Sequence, residues 1–558
     1  MENITKAQRG RIAIRMFKIT ADALALRGYY KPSGRSGQTL EDSLKMLSPE
    51  IYGTMNEPRI IELKGLEYVM DRLPRGIEEC SRIILTAEEE LEHTAFEKIV
   101  PLKRRRVSYR ISQNEMNFII TQGMSEIYDI LTHLTFLNIE SHKIKNQIHD
   151  ESGKLSAEWG VLETHVKGAE LRGPELDRAL WNLSIILGRT FQETRETYQY
   201  LEASRKEKNG NNGLFKIIYN LGLRALADDD DRDKMLMIYF TPSLRDMIGR
   251  HKFGRVWADN VKNKLLELGF GDRPVHVVSA NMHSVLNALY AHAALRDSLK
   301  GEEFDLYEFI IRSREFQGSV KEFAKEHGLH ELPDLSGFSI DTQIIDMAKF
   351  NGIPVHPDMQ ITNGVDPEKK PVIIVIDYAF GAQAYEVMDE LLSPHITNEK
   401  DYYFNFRSIS IMGKAGILPG QKGDIMLPTA HVFEGNPHNY MVDNDLKPDD
   451  FDGSIPVFVG PIVTVLGTSL QNRDVLEKFQ KSSWKAVGLE MEGGHYQRAV
   501  NAAIIREHIR RDVRVRYAYY ASDNPIVSGQ TLASGALGEE GVKPTYMITK
   551  VILEKILN

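Results

Sequence analysis

The stretch KPVIIVIDYAFGAQAYEVMDELL, residues 370–392, decides the fold of the C-terminal half. Val372 to Ile376 is an unbroken apolar, β-branched run of strand length, the pattern of a strand covered on both faces. Past Gly381 the apolar spacing changes to three and four, the period of a helix. Upstream, RPVHVVSANMHSVLNALYAHAAL (273–295) has the same strand–turn–helix form. Downstream, strands are expected at 406–412, 423–427, 457–465, 486–489 and 515–521, with helices at 474–481, 493–510 and 545–557. Alternation of this kind predicts an α/β domain over 273–558, a largely parallel twisted central sheet flanked by helices. Ligands of such sheets gather at the carboxyl ends of the strands.

Residues 6–226 read as helical almost throughout, as in MNFIITQGMSEIYDILTHLTFLNIE, so an α-helical domain of unknown role is expected over 1–235. A connecting helical segment follows over 236–272. With 69 basic and 78 acidic residues the net charge is −9, which argues against nucleic acid or an anionic membrane as the main partner. Cys80 is the only cysteine, so an intrachain disulfide and a cysteine-based zinc site are both excluded. The single cysteine suits a reducing, cytoplasmic setting, and the N-terminus lacks the apolar run of a signal peptide. Glu90-x-x-His93 has metal-ligand spacing, but di-iron bundles need two such pairs and further glutamates. It reads as a solvated charged face, as do Lys103 and the triplet Arg104–Arg106. No metal and no cofactor is expected.

Three segments carry chemistry. In IMGKAGILPGQKGDIMLP (411–428), Gly413 and Gly416 follow a strand, where a missing side chain lets backbone approach a ligand, and an ordinary tight turn is the alternative. In AVGLEMEGGHYQRAV (486–500), a strand ends in Glu490, Met491 and Glu492 before turning into a helix at Gly493. Glu490 reads as an acid at the helix start. Glu492 reads as a ligand group, since a carboxylate at a strand end can accept hydrogen bonds from the vicinal hydroxyls of a ribose. In VRYAYYASDNPIVSGQTL (515–532), another strand ends in Ser522, Asp523 and Asn524.

Together the G-x-A-G-x-L…G-D segment (Gly413, Ala415, Gly416, Leu418, Gly423, Asp424), E-M-E-G (490–493) and S-D-N-P (522–525) resemble the purine nucleoside phosphorylase and nucleosidase superfamily. The similarity covers about the last 285 residues and is greatest to its hydrolytic branches, AMP nucleosidase and the methylthioadenosine/S-adenosylhomocysteine nucleosidases. The resemblance implies a nucleoside phosphorylase-like fold and hydrolysis of a purine N-glycosidic bond. Met491 and Glu492 would hold the ribose, Asp523 would protonate the departing purine and Ser522 would orient it. Thr468 to Leu470 would flank the base, and Asn524 is a further candidate for binding substrate. It also implies a homo-oligomer and a small purine nucleoside or nucleotide as partner.

Two departures bear on the nucleophile. The phosphorylases hold phosphate with arginines in the first turn and before the glycine segment, and here those neighbourhoods read SANMHSV and SISIMGK. That favours water. The nucleosidases use a first-turn glutamate to activate it, and an ungapped match puts Ser284 there, beside His283. His283, whose class titrates near neutrality, is the candidate base. Lys414 reads either as a phosphate ligand or as a surface lysine. A phosphorylase and a nucleotide sensor without turnover are the alternatives.

Overall fold

The computed structural model describes residues 4–87, 90–104, 106–149, 153–168, 171–230, 235–296, 298–299, 304–361, 371–397, 400–527 and 538–558. The chain divides into two compact units: Met1–Arg250 with Ser469–Val475, and His251–Thr468 with Leu476–Asn558.

The first unit contains a six-stranded sheet, which corrects the all-helical expectation. Its strands are β1 (Tyr29–Tyr30), β2 (Arg82–Thr86), β3 (Glu97–Ile99), β4 (Val107–Ser112), β5 (Glu115–Ile119) and β6 (Met237–Phe240), ordered β1-β6-β2-β5-β4-β3. The strands are at most six residues long, too short to mark a helical periodicity taken over a longer window. The quoted run beginning at Met116 is in fact two elements. Its β-branched and aromatic start is β5, and the helix Gly123–Gln147 begins only at Gly123, whose φ of +66° breaks the strand. That helix is buried along most of its length and carries Glu126 and Asp129, which pair with Arg106 at 3.3 and 2.7 Å. Arg106 is thus a buried ion-paired residue and Arg104 reaches Asp129 at 3.2 Å, so neither belongs to a solvated patch. Residue 105 lies outside the described residues. Residues 237–240, expected in a helical connection, are strand β6.

The second unit is built on a ten-stranded mixed sheet. Its strands are β7 (Pro274–Ser279), β8 (Leu329–Leu332), β9 (Thr342–Asp346), β10 (Val372–Ile376), β13 (Asn405–Ile417), β14 (Ile425–Phe433), β15 (Asn439–Met441), β16 (Val457–Thr464), β17 (Gly488–Glu490) and β18 (Arg514–Asp523), while β11 (His395–Ile396) and β12 (Asp401–Tyr402) form a separate hairpin. Every residue of β10 is buried, as its apolar run requires. β7 pairs in parallel with β10 on one side and with β13 on the other, and β13 pairs in parallel with β18. At thirteen residues β13 is long enough to serve two parts of the sheet. Its end pairs with β17, β17 with β16, β16 with β14, and β14 with β18, which returns to β13. These five strands form a closed ring, an arrangement that leaves them no open edge.

Gly413 and Gly416 lie inside β13 and do not follow its end as expected, and the tight turn that was the alternative is absent. The register with β18 shifts between Ala415 and Gly416, and this irregularity bends the strand into the ring. Gly488 lies where β17 crosses that bend, and a Cβ there would stand 2.7 Å from the Gly416 carbonyl oxygen and would also strike the Met426 sulfur. Gly488→Ala is therefore expected to destabilise the chain by about 1–3 kcal/mol, the usual cost of overpacking. Urea denaturation measures it, and an unchanged midpoint would show that the crossing tolerates a methyl group.

Candidate functional site

Because β7, β10, β13 and β18 are parallel, their carboxyl ends share one edge of the sheet. The turn after β17 reaches the same edge. There a cavity of about 790 Å³ opens, lined by Ser279 and His283 after β7, Tyr378 and Ala379 after β10, Gly413–Ala415 of β13, Glu490–Glu492 after β17 and Ser522 of β18. Tyr546, on the helix Val542–Leu557, closes a further wall.

Glu490 builds the turn. Its carboxylate accepts hydrogen bonds from the Thr464 hydroxyl at 2.6 Å, from the Glu492 amide at 2.5 Å and from the Gly493 amide, and His431 Nδ1 lies 3.4 Å away. Burial opposes ionisation of Glu490, but these partners outweigh it and hold the group below the ordinary carboxylate range. Glu490 is thus spent on the start of the helix Gly493–Ile505. The turn it fixes presents Met491 and Glu492 to the cavity. Glu492 accepts from the Gly381 amide at 2.8 Å, and burial together with the charge of Glu490 pushes its carboxyl up to about 8. At Gly413 a Cβ would stand 3.5 Å from the Tyr378 ring, an ordinary van der Waals contact.

Across the cavity the Ser522 hydroxyl lies 2.5 Å from Asp523 Oδ1 and 3.3 Å from the Ala415 carbonyl. Asp523 is buried behind Ser522, and its Oδ2 has no hydrogen-bond partner among the described residues. Burial raises its pKa, opposed by the Ser522 bond and by the charge of Lys414. Lys414 therefore acts on both acids, since it also lowers Glu492.

His283 follows Asn281, whose Oδ1 accepts from the His283 and Ser284 amides at 3.2 and 2.8 Å and starts the helix Ser284–Leu295. His283 Nδ1 is 3.1 Å from the Tyr546 hydroxyl, which also accepts from Asn287 Nδ2 at 3.0 Å. Burial and the charge of Arg314 lower its pKa, so the imidazole is neutral at neutral pH.

Of the residues singled out in the sequence, His283, Gly413, Lys414, Ala415, Met491, Glu492 and Ser522 line the cavity, as does Thr468. Asp523, Gly416, Asn524 and Leu470 do not, Asp523 lying behind Ser522. Gly416 sits at the bend of β13, and Asn524 donates to the Leu418 and Gly420 carbonyls at 3.2 and 2.8 Å, fastening the loop after β13. Leu470 is buried in Ser469–Val475, the segment grouped with the first unit. Tyr378, Tyr546, Asn287 and Arg314 were missed. Tyr378 and Asn287 lie within the quoted strand–turn–helix stretches but were not singled out, and Arg314 and Tyr546 lie outside every quoted motif, so only the packing of their elements brings them to the strand ends. Elsewhere in the second unit His251, Asp389 and Glu390 have ligand spacing, but Arg506 donates to Asp389 at 2.8 Å and Arg255 stands 3.8 Å from Glu390, so cations of the chain already engage them.

The site and fold define a mixed α/β protein with a carboxylate-bearing ligand cavity at the carboxyl ends of its strands. The chain belongs to a family described as a family of unknown function (DUF6909), whose model matches residues 38–300 and 304–558. No curated protein matches it. Among solved structures, it is similar to futalosine hydrolase of Helicobacter pylori strain 26695, at 11% identity and a TM-score of 0.29, over 51% of this chain and 98% of that one. It is similar to the 5′-methylthioadenosine/S-adenosylhomocysteine nucleosidase of Campylobacter jejuni, at 12% and 0.29, over 51% and 99%. Isoform 2 of uridine phosphorylase from Schistosoma mansoni is 11% identical, with a TM-score of 0.29, over 55% and 90%. No helix among the described residues is long and apolar enough to cross a membrane.

Glu490→Gln is expected to cost about 2–3 kcal/mol, since it weakens charge-assisted bonds to buried donors. It should also lower the ionisation midpoint of Glu492, because a raising charge is removed. Carbon NMR titration of labelled glutamate checks this, and a midpoint unmoved from about 8 would contradict the coupling.

Proposed function

We propose that the second unit hydrolyses the N-glycosidic bond of a purine nucleoside or nucleotide. The observation that carries this reading is the presence of Glu492 in the cavity lining with Asp523 buried directly behind the cavity-lining Ser522, its Oδ2 without a hydrogen-bond partner among the described residues. Cleavage of such a bond leaves positive charge on the sugar and sends electrons to the base. Glu492 is suited to accept from the ribose hydroxyls, and Met491 to pack against the ring. Asp523, with its pKa raised by burial, is suited to give a proton to the purine while Ser522 holds its other oxygen. His283 is the candidate to hold water. Its Nδ1 lies 3.1 Å from the Tyr546 hydroxyl, and burial with the charge of Arg314 favours the neutral imidazole. The motif resemblance supplies the purine.

Asp523→Asn should reduce base release by about 10²–10⁴-fold, the usual worth of a general acid, while nucleoside binding persists. Chromatography of free base after incubation with adenosine, inosine, methylthioadenosine and AMP reads this, and wild-type turnover by the variant would refute the mechanism. A second expectation concerns pH. If ionised Glu492 binds the ribose, a rise from about pH 7 to about pH 9 should tighten nucleoside binding about tenfold, because the ionised fraction grows by that factor around a midpoint near 8. Calorimetry should show the dependence in the wild type and a flat profile in Glu492→Gln.

A further inference from the structure

The first unit exposes a row of apolar side chains on the helix Lys6–Arg27. One face of this helix is buried, through Ala13, Ile14, Phe17, Ala21 and Leu24. On the opposite side Ile12, Met16, Ile19 and Leu26 are 42, 41, 66 and 74% exposed, and Ala23 between them is exposed as well. Their successive spacings of four, three, four and three make one straight seam, the a and d pattern with which a helix receives a second helix. A lone exposed apolar residue is ordinary, but a seam kept in register over about 21 Å marks an interaction site.

The charges beside the seam are of one sign. By the helical period Arg15 lies on one side of it and Arg9 and Arg27 on the other. All three are exposed, and none forms an ion pair among the described residues. Asp22, the sole acid of the helix, is taken by Lys18 at 2.7 Å and by the Tyr128 hydroxyl. Cations are thus concentrated here in a chain whose net charge is −9.

Seam and charge together select the occupant. A second copy of the same helix, parallel or antiparallel, would set arginines against arginines with no acid between them. A bilayer takes apolar side chains without needing a regular seam, and an anionic one repels a chain of this net charge. Nucleic acid would answer the cations and leave the seam bare. We propose that this face docks an amphipathic helix of another protein, one whose apolar seam is flanked by glutamate or aspartate. Its apolar side chains interleave with Ile12, Met16, Ile19 and Leu26, and its acids meet Arg9, Arg15 and Arg27 at the rim. The desolvated seam supplies affinity, and the rim charges select the partner.

The test uses the full chain and two synthetic helices of about four heptads with leucine at a and d, one bearing glutamate and the other lysine at e and g. Fluorescence anisotropy should show the glutamate peptide binding at least about tenfold more tightly than the lysine peptide, with the difference shrinking in high salt. Ile19→Asp, which puts a charge into the seam, should weaken the glutamate peptide by about tenfold or more. Arg9→Glu combined with Arg15→Glu should reverse the preference toward the lysine peptide, a gain that a damaged fold cannot imitate. Equal binding of the two peptides, no binding of the glutamate peptide, or binding untouched by Ile19→Asp would overturn the proposal. Light scattering that shows a wild-type dimer dissociated by Ile19→Asp would overturn it in favour of a second copy. Sedimentation with vesicles of phosphatidylcholine and phosphatidylglycerol, lost in the same variant, would overturn it in favour of a bilayer.

Discussion

The site depends on one buried carboxylate that touches no substrate in the reading developed above. Glu490 sits at the end of β17 among Thr464, His431 and the amides that open the next helix. Without those donors a buried charge is too costly to keep, and without the charge the amides have no strong acceptor. The turn is therefore rigid, and two further properties follow from it. Met491 and Glu492 are aimed at the cavity, and the second carboxyl, close to a permanent negative charge, is hard to ionise. One group thus sets both the position and the proton affinity of its neighbour.

Ring closure places the remaining parts. β13 leaves the open sheet beside β7 and bends at Gly416 to meet β17, so the ends of β17 and β18 arrive opposite one another. An open sheet of the same strands would line them up in a row and could not enclose a small molecule from two sides. Gly488 serves this geometry, since only a residue without Cβ lets the two strands cross so closely.

Much of the second unit was legible in the sequence because its signals are local. The run Val372–Ile376 is a buried strand with the bounds expected, and E-M-E-G and S-D-N-P mark the strand ends that meet. Signals failed where tertiary context decides. The strands of residues 82–119 are too short to outweigh a helical periodicity, and Arg106 looked solvated until Glu126 and Asp129 came to it from another element. Leu470 and Asn524 lie close in sequence to cavity residues, yet the chain turns away at both. Arg314 could not be found, because nothing in its own segment marks it as a cavity residue.

The wall formed by Tyr546 has a consequence for how the protein is made. The cavity draws on residues from Ser279 to Tyr546, and its last wall is the helix Val542–Leu557. During synthesis the strand ends near Ser279 and Tyr378 exist long before that helix leaves the ribosome. Contacts so distant in sequence form late and slowly. Until they form, the apolar lining beside β13 lacks the cover that this helix provides.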